Sequence, residues 1–326
     1  MRSRILQVTF DIDGDKTVLN DAASDPTAST PLSIRARIKK NCFKMQSSCT
    51  LEIVNLSKTV REKLLSRMTA WDARMRNEGR EEQRHIKVEV KAGYAAPSIP
   101  GQTSEVRQEP STVFTGEAAI VELISGPPDI AVRVQCFTNQ VDRSQFKTGQ
   151  SPARATVAEY VRWISKQMEM PSDPIIDTIK ANDVLTNPGQ SCVTRIALLT
   201  WLQSLYGPEV YVFADNGQII VKDANKLVDT DNITTYTEFL AIPMWNEWGV
   251  SFTTLYDPTL KLASPAQLDS KLNPAVNGGV FIVYILEYDL SSRGKEFSVT
   301  AFGSPAGQVQ KKPEPIAPEG YRVPTN

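Results

Sequence analysis

The apparatus of catalysis and metal binding is thin in this chain of 326 residues. Its single histidine, His85, offers little to a hydrolase that depends on an imidazole base. The four cysteines, Cys42, Cys49, Cys136 and Cys192, include no CxxC pair and no ligand set at zinc spacing, so buried, reduced thiols are the simpler reading. GxxxxGK[ST], GxSxG and HExxH are absent, and no pattern supports Glu169 or Glu247 as the paired acids of a muramidase. No catalytic, cofactor-binding or metal-binding residues are therefore expected. Apolar runs stop short of the ~20 residues that a membrane helix needs. Met1-Arg2-Ser3-Arg4-Ile5 lacks the apolar core of a signal peptide, so the expectation is synthesis in a reducing cytoplasm without membrane insertion. An excess of one charge is missing too. Lys+Arg 36 against Asp+Glu 37 gives a net charge of -1, which leaves no global field to attract phosphate or anionic lipid.

What is present suits a folded protein, since 41% hydrophobic and 22% charged residues allow two or three domains with substantial cores. Strand patterns come first. Leu6, Val8 and Phe10 alternate with Ile5, Gln7 and Thr9, and Leu32, Ile34, Ala36 and Ile38 alternate with Ser33, Arg35 and Arg37. Between them, Asp11-Ile12-Asp13-Gly14-Asp15 opens like a calcium loop, but its twelfth position is Ala22 and its flanks read as strands, which favours a polar hairpin turn. Cys49–Leu56 is a further strand. A helix follows from Thr59 to about Arg84, with a Thr59/Glu62 capping box and an apolar stripe of Val60, Leu64, Met68, Trp71 and Met75. Its other face interleaves Arg61, Lys63, Arg67, Arg74, Arg76, Arg80 and Arg84 with Asp72, Glu78, Glu81 and Glu82, as a solvated face does. Residues 85–92 alternate strictly, 95–110 form a Pro-rich exposed loop, and 113–123 is a strand whose Gly116 marks a bulge or close backbone approach. Pro127-Pro128 turns the chain into a strand over 130–137. Residues 1 to about 145 thus read as one antiparallel β domain with an inserted helix.

The period then changes. Thr156 and Glu159 form a second capping box ahead of Val157, Tyr160, Val161, Ile164 and Met168. A helix from about Ser191, with Val193, Ile196, Leu199, Leu202 and Leu205 on one side, closes at Tyr206-Gly207-Pro208. Two short strands flank Ala214-Asp215-Asn216-Gly217, a hairpin signature. This is an α+β module over about 150–228. A second β domain, about 233–305, runs through Tyr256-Asp257-Pro258, a turn at Asn277-Gly278-Gly279, the strand 280–288 and the alternation of Phe297, Val299 and Ala301. It reads as a small barrel or sandwich, and the Pro-rich residues 306–326 read as a flexible tail. Trp245-Asn246-Glu247-Trp248 can be read as an aromatic platform for a sugar or base, but a barrel plug or an oligomer contact is favoured. The fold class expected is α+β, mainly antiparallel β.

The runs Leu51-Glu52-Ile53-Val54-Asn55-Leu56-Ser57-Lys58-Thr59-Val60-Arg61, Lys91-Ala92-Gly93-Tyr94 and Val113-Phe114-Thr115-Gly116-Glu117 resemble segments of baseplate hub proteins from contractile-tailed phages. Gly189-Gln190-Ser191, Leu205-Tyr206-Gly207, Asp215-Asn216-Gly217, Leu255-Tyr256-Asp257-Pro258, Val276-Asn277-Gly278 and Arg293-Gly294-Lys295-Glu296-Phe297 follow in the same order, so the resemblance covers about 1–305. The order, more than any one run, carries it. The resemblance implies two tail-tube-like β-barrel domains and a homotrimer that joins the sixfold tail tube to a threefold spike. Tail tube protein, spike and other baseplate proteins would be its partners in the virion, and DNA would pass through its lumen without specific binding. The strand edges bordering Val280–Tyr288 and Val113–Leu123 would then carry inter-subunit contacts. The helix from Thr59 is longer than the resemblance leads one to expect. A tail-associated cell-wall hydrolase and a glycan-binding tail module using Trp245 and Trp248 are the rival readings.

Overall fold

The computed structural model describes residues 4–21, 31–77, 86–94, 110–139, 145–224 and 233–306. His85, the helical expectation beyond residue 77, most of the 95–110 loop and the tail after residue 306 lie outside them.

Alternation builds the first strands. In β1 (Arg4–Ile12) it buries Leu6, Val8, Phe10 and Ile12. β2 (Asp15–Leu19) returns through Asp13 and Gly14, whose φ of 55° and 88° give the hairpin turn that matches strand twist. β3 (Ile34–Asn41), β4 (Ser48–Val54), α1 (Lys58–Leu65), α2 (Ala70–Asn77), β5 (Ile86–Tyr94), β6 (Ser111–Ser125) and β7 (Ala131–Phe137) complete the N-terminal half. The middle holds β8 (Arg154–Thr156), α3 (Val157–Gln167), β9 (Ile175–Asp177), β10 (Val184–Thr186), α4 (Arg195–Tyr206), β11 (Val210–Asp215) and β12 (Gln218–Asp223). β13 (Thr234–Tyr236), β14 (Ala241–Asn246), β15 (Gly249–Leu255), β16 (Pro265–Leu268), β17 (Val280–Ser291) and β18 (Phe297–Pro305) make the C-terminal half. Among the described residues strand outweighs helix, 49% to 18%, so the fold is mainly antiparallel β with an α+β middle.

The two halves share one 13-stranded sheet, in the order β14-β15-β18-β17-β3-β4-β7-β6-β5-β1-β2, with β16 and β13 branching from β17. This corrects the expectation of two barrels: among the described residues the path is open at β14 and β2, and no barrel closes. The reason is the length of β17. Its first residues pair with β16, a register shift between Val283 and Ile285 re-aims it, and Ile285–Ser291 then pair with Asn41–Arg35 of β3. Alternation in the sequence fixes which face is buried, not which strand lies alongside.

One hydrophobic cluster runs through both halves, from Leu6, Phe10 and Phe114 to Phe252, Phe281 and Phe297, each such side chain contributing about 1.5–3 kcal/mol on burial. A second lies under α3 and α4, around Tyr160, Ile164, Leu198, Leu202 and Val212. β11 belongs to both. Tyr211 and Phe213 enter the first cluster while Val210, Val212 and Ala214 enter the second, as period-2 geometry requires of a strand between two layers. Its turn, Asn216-Gly217, lands on the sheet, where Lys40, 3% exposed on the inner side of β3, donates to Asp215 and to Asn216 at 3.2 Å. Asn216 in turn donates to the Thr112 carbonyl at 3.2 Å.

The helices depart from expectation in two places. The single helix from Thr59 is instead α1 and α2, broken at Ser66–Thr69. Ser57 stands at the N-cap of α1 with no side-chain cap bond, so Thr59 and Glu62 form no box there. A box forms at Thr69 and Asp72, which exchange bonds of 2.9 and 3.1 Å and restart the helix, while the Met68 carbonyl accepts the Val121 N–H of β6 at 2.6 Å. Leu64, Met68 and Met75 are buried, but Trp71 is 62% exposed. The second box does form: Thr156 and Glu159 cap α3 with bonds of 2.8 and 3.2 Å. α4 starts at Arg195 and buries Leu198, Leu199 and Leu202, leaving Val193 and Leu205 exposed. Gly207 ends it at φ 56°.

Gly116 is a close approach. A Cβ there would stand 2.6 Å from the Phe137 carbonyl oxygen and 2.8 Å from the Phe114 ring. Gly116→Val should therefore cost about 2 kcal/mol in denaturant unfolding, and an unchanged midpoint would contradict this packing. Lys40→Met should cost about 3 kcal/mol by stranding the Asp215 carboxylate, which is only 14% exposed, with part of the loss recovered by Lys40→Met/Asp215→Asn. A double variant no more stable than the single one would contradict the pairing.

Candidate assembly surface

The sheet face turned away from the core carries the alternate, polar positions, and its charges are paired across strands. Arg35 donates to both Asp289 oxygens at 2.9 and 2.6 Å, and Lys39 pairs with Glu287, both across the β17–β3 seam. Glu52 of β4 is shared by Arg37 of β3 at 3.4 Å and Arg133 of β7 at 3.2 Å. The bond to Asp289 pushes Arg35 further towards its charged form. Such half-exposed pairs each contribute about 0–1 kcal/mol, so their effect is to hold register and to cancel charge. Farther along, Thr253 and Thr300 share a hydroxyl bond of 2.9 Å, and Glu89 accepts from Thr112 at 2.8 Å beside Lys91. The result is a broad polar face of mixed sign. Among the described residues this face does not concentrate positive charge for gripping phosphate.

The edges differ from expectation at β17, which is paired with β18 on one flank and with β16 and then β3 on the other. β6 pairs with β5 over Ser111–Glu117 and with β7 over Glu117–Ser125, so each half of that strand has one strand partner. Among the described residues the strand order ends at β14 and β2, and the branch ends at β13. Around β14, Leu240, Ile242, Met244 and Leu272 are 57%, 53%, 60% and 78% exposed, and a cleft of about 300 Å³ opens beside Leu240, Ile242 and Leu272. The Pro243 carbonyl of this strand is capped by Asn273 Nδ2 at 2.8 Å. No periodicity announces β14, whose pairing with β15 shifts register between Ala241 and Met244, so sequence reasoning missed this surface.

The other singled-out residues fall apart spatially. Trp245 packs edge-on against Phe281 at 5.5 Å and donates Nε1 to the Ala275 carbonyl at 3.1 Å, whereas Trp248 stands 47% exposed at the β14–β15 turn. One ring belongs to the core and the other to the surface, so the pair forms no platform. Glu169 pairs with Arg195 at 3.1 Å beyond α3, while Glu247 lies in the β14–β15 turn. The acids of the hairpin turn are used structurally. Asp11 accepts the Gly14 N–H at 2.9 Å, Asp13 pairs with Arg67, and Asp15 pairs with Lys63 at 2.6 Å, an interaction that lowers the Asp15 pKa. They tie β1–β2 to α1. Among the described residues no group of His, Cys, Asp or Glu is arranged to hold a metal. Burial pushes the thiols of Cys42, Cys49 and Cys136 far above their ordinary range, which keeps them protonated and unreactive. A cleft of about 670 Å³ between β1, β5 and the middle module presents both signs, Asp11, Lys16, Glu117, Glu169 and Arg195 among them.

Comparison with known proteins places this architecture. No curated protein matches the chain. Among solved structures, the 43 kDa tail protein of prophage MuSo2 from Shewanella oneidensis shares the fold with a TM-score of 0.54 at 8% identity, covering 93% of this chain and 99% of that one. The tail protein from Neisseria meningitidis MC58 gives 0.54 at 9% identity, covering 94% and 98%. A chain of the Francisella PdpA–VgrG complex gives 0.51 at 7% identity over 99% of this chain and 60% of its own length. The family profile described as "Baseplate hub gp41" matches residues 5–303, so this chain belongs to the baseplate hub gp41 family of phage tail proteins, whose members are structural and not enzymes.

Proposed function

We propose that the chain works as a trimeric adaptor between the sixfold tail tube and a threefold spike. The observation that carries this reading is the continuous sheet: because β17 pairs with β3, one chain offers two strand groups side by side, so three chains offer six. Each half, about 1–145 and 233–305, stands in for one tube subunit, and the module over about 150–228 buttresses the first half through Lys40, Asp215 and Asn216. The polar face, with its ion pairs cancelled across strands, lines a channel through which DNA slides without being held. A chain of a VgrG complex has the same fold, which supports a spike as one neighbour, with the tail tube protein and other baseplate proteins as further partners. The hub is assembled in the host cytoplasm and acts by shape in the virion tail. Three subunits in a closed ring bury on the order of 2,000–5,000 Å² per obligate interface.

An electron cryomicroscopy map of the tail tests this. Both halves of each of three copies should lie in the ring that abuts the tube, with the Arg35–Asp289 face towards the lumen. A map with either half outside that ring, or with another copy number, overturns the adaptor.

A further inference from the structure

Two of the four cysteines face each other across one ladder. Cys49 of β4 and Cys136 of β7 are register partners on the core side of the sheet, 1% and 0% exposed, and both are free thiols. The phase of the ladder gives their separation. The Thr138 N–H donates to the Ser47 carbonyl at 3.0 Å and the Asn55 N–H to the Ile130 carbonyl at 2.8 Å, so alternation makes Cys49–Cys136 a hydrogen-bonded pair with Cα atoms about 5.5 Å apart. A disulfide spans roughly 4.4–6.8 Å between Cα atoms, most often about 5.5–6 Å. Burial first, and then the neighbouring Cys49, push the Cys136 thiol up, as two sulfurs side by side require. The other cysteines are elsewhere: Cys42 lies past the end of β3 with Sγ 3.9 Å from the Val283 carbonyl, and Cys192 lies in the middle module with Sγ 3.4 Å from the Ala197 carbonyl. We infer that Cys49 and Cys136 form a reversible disulfide site, open in a reducing cytoplasm and closed when the folded chain meets a small-molecule disulfide outside it.

The place of the pair in the ladder supplies a route. While the sheet is closed these thiols are inert, but only Ser48–Phe137 lies beyond them in the β4–β7 register, followed by the contacts of Ser47 with Thr138. A ladder end opens locally at far lower cost than the whole fold. Once it parts, the thiolate of one cysteine attacks the S–S bond of the oxidant, glutathione disulfide for instance, forming a mixed disulfide and releasing one glutathione. The other cysteine, as its thiolate, attacks the protein-bound sulfur and releases the second glutathione. Two protein thiols are thereby oxidised to one disulfide, the oxidant is reduced to two thiols, and the two protons pass to those thiols. Facing strand positions hold Cβ atoms about 4.5–5.5 Å apart against about 3.8 Å in a relaxed bridge, so the product is strained and a reductant reopens it. Closed, the bridge ties β7 to β4, the strand beside β3, and so fastens the N-terminal flank of the strand that joins the two halves.

The test uses the full-length wild-type chain, reduced, freed of reductant, incubated with glutathione disulfide, then unfolded in an alkylating agent and mapped by peptide mass. The Cys49 and Cys136 peptides should be joined, with Cys42 and Cys192 alkylated, and dithiothreitol should separate them. The bridged chain should melt about 3 °C above the reduced one. Thr138→Val, which removes the hydroxyl that accepts the Ser47 N–H at 2.8 Å, should speed bridging about fivefold by loosening the ladder end. Four alkylated cysteines after oxidation, glutathione retained on Cys49 or Cys136, or a bridge to Cys42 or Cys192 would each overturn the site. A bridge that forms without raising the melting temperature overturns the tie between β4 and β7, and a rate unmoved by Thr138→Val overturns opening from the ladder end.

Discussion

The ladder between β3 and β17 is the constraint on which the rest of the structure depends. It joins residues from the two ends of the chain, so the N-terminal and C-terminal β regions share one sheet and one hydrophobic cluster. β3 has work on each side of this ladder. Arg35, Arg37 and Lys39 point outward and meet Asp289, Glu52 and Glu287, while Lys40, one step on, faces inward and fastens the middle module through Asp215 and Asn216. A slip of one residue in register would turn the charges into the core and Lys40 out of it. Register here is therefore specified by electrostatics outside and by a buried ion pair inside.

Much of the local structure was legible in the sequence because period and turn chemistry are local. The alternation in β1, β3 and β5, the Asp13-Gly14 and Asn216-Gly217 turns and the Thr156–Glu159 box all follow from neighbouring residues. The misreadings arose where a distant partner decided. Val60 through Met75 has an uninterrupted helical stripe, yet the Met68 carbonyl is drawn to β6 and the helix breaks. The strand 280–288 is recognisable, but that it extends to Ser291 and pairs with a segment some 250 positions away is not written in its alternation. Strand partners are long-range facts, and a barrel was the closure that local pattern suggested.

The candidate surface was legible in the same uneven way. The near balance of Lys and Arg against Asp and Glu is legible in the sequence, and the paired side chains across β17, β3, β4 and β7 show how it is arranged on this face. The absence of motifs pointed away from chemistry, and the family to which the chain belongs is structural. The β14 rim was invisible because its exposed apolar residues look, in a sequence, like the buried ones of any other strand. Trp245 and Trp248, which looked like a pair, are separated because Trp245 lies on β14 and packs on the core, whereas Trp248 lies in the turn that follows and is exposed.

Amide hydrogen exchange at β3 tests the central claim most directly. Its N–H groups alternate in direction, and the pairing of Ile34 with Ser292 and of Cys42 with Tyr284 places those of Ala36, Ile38 and Lys40 towards β17. If one sheet spans both halves, these three amides exchange only by global unfolding, at the rate of the interior amides of β4. If they exchange as fast as the free-edge amides of β14, the halves are separate bodies and the account fails.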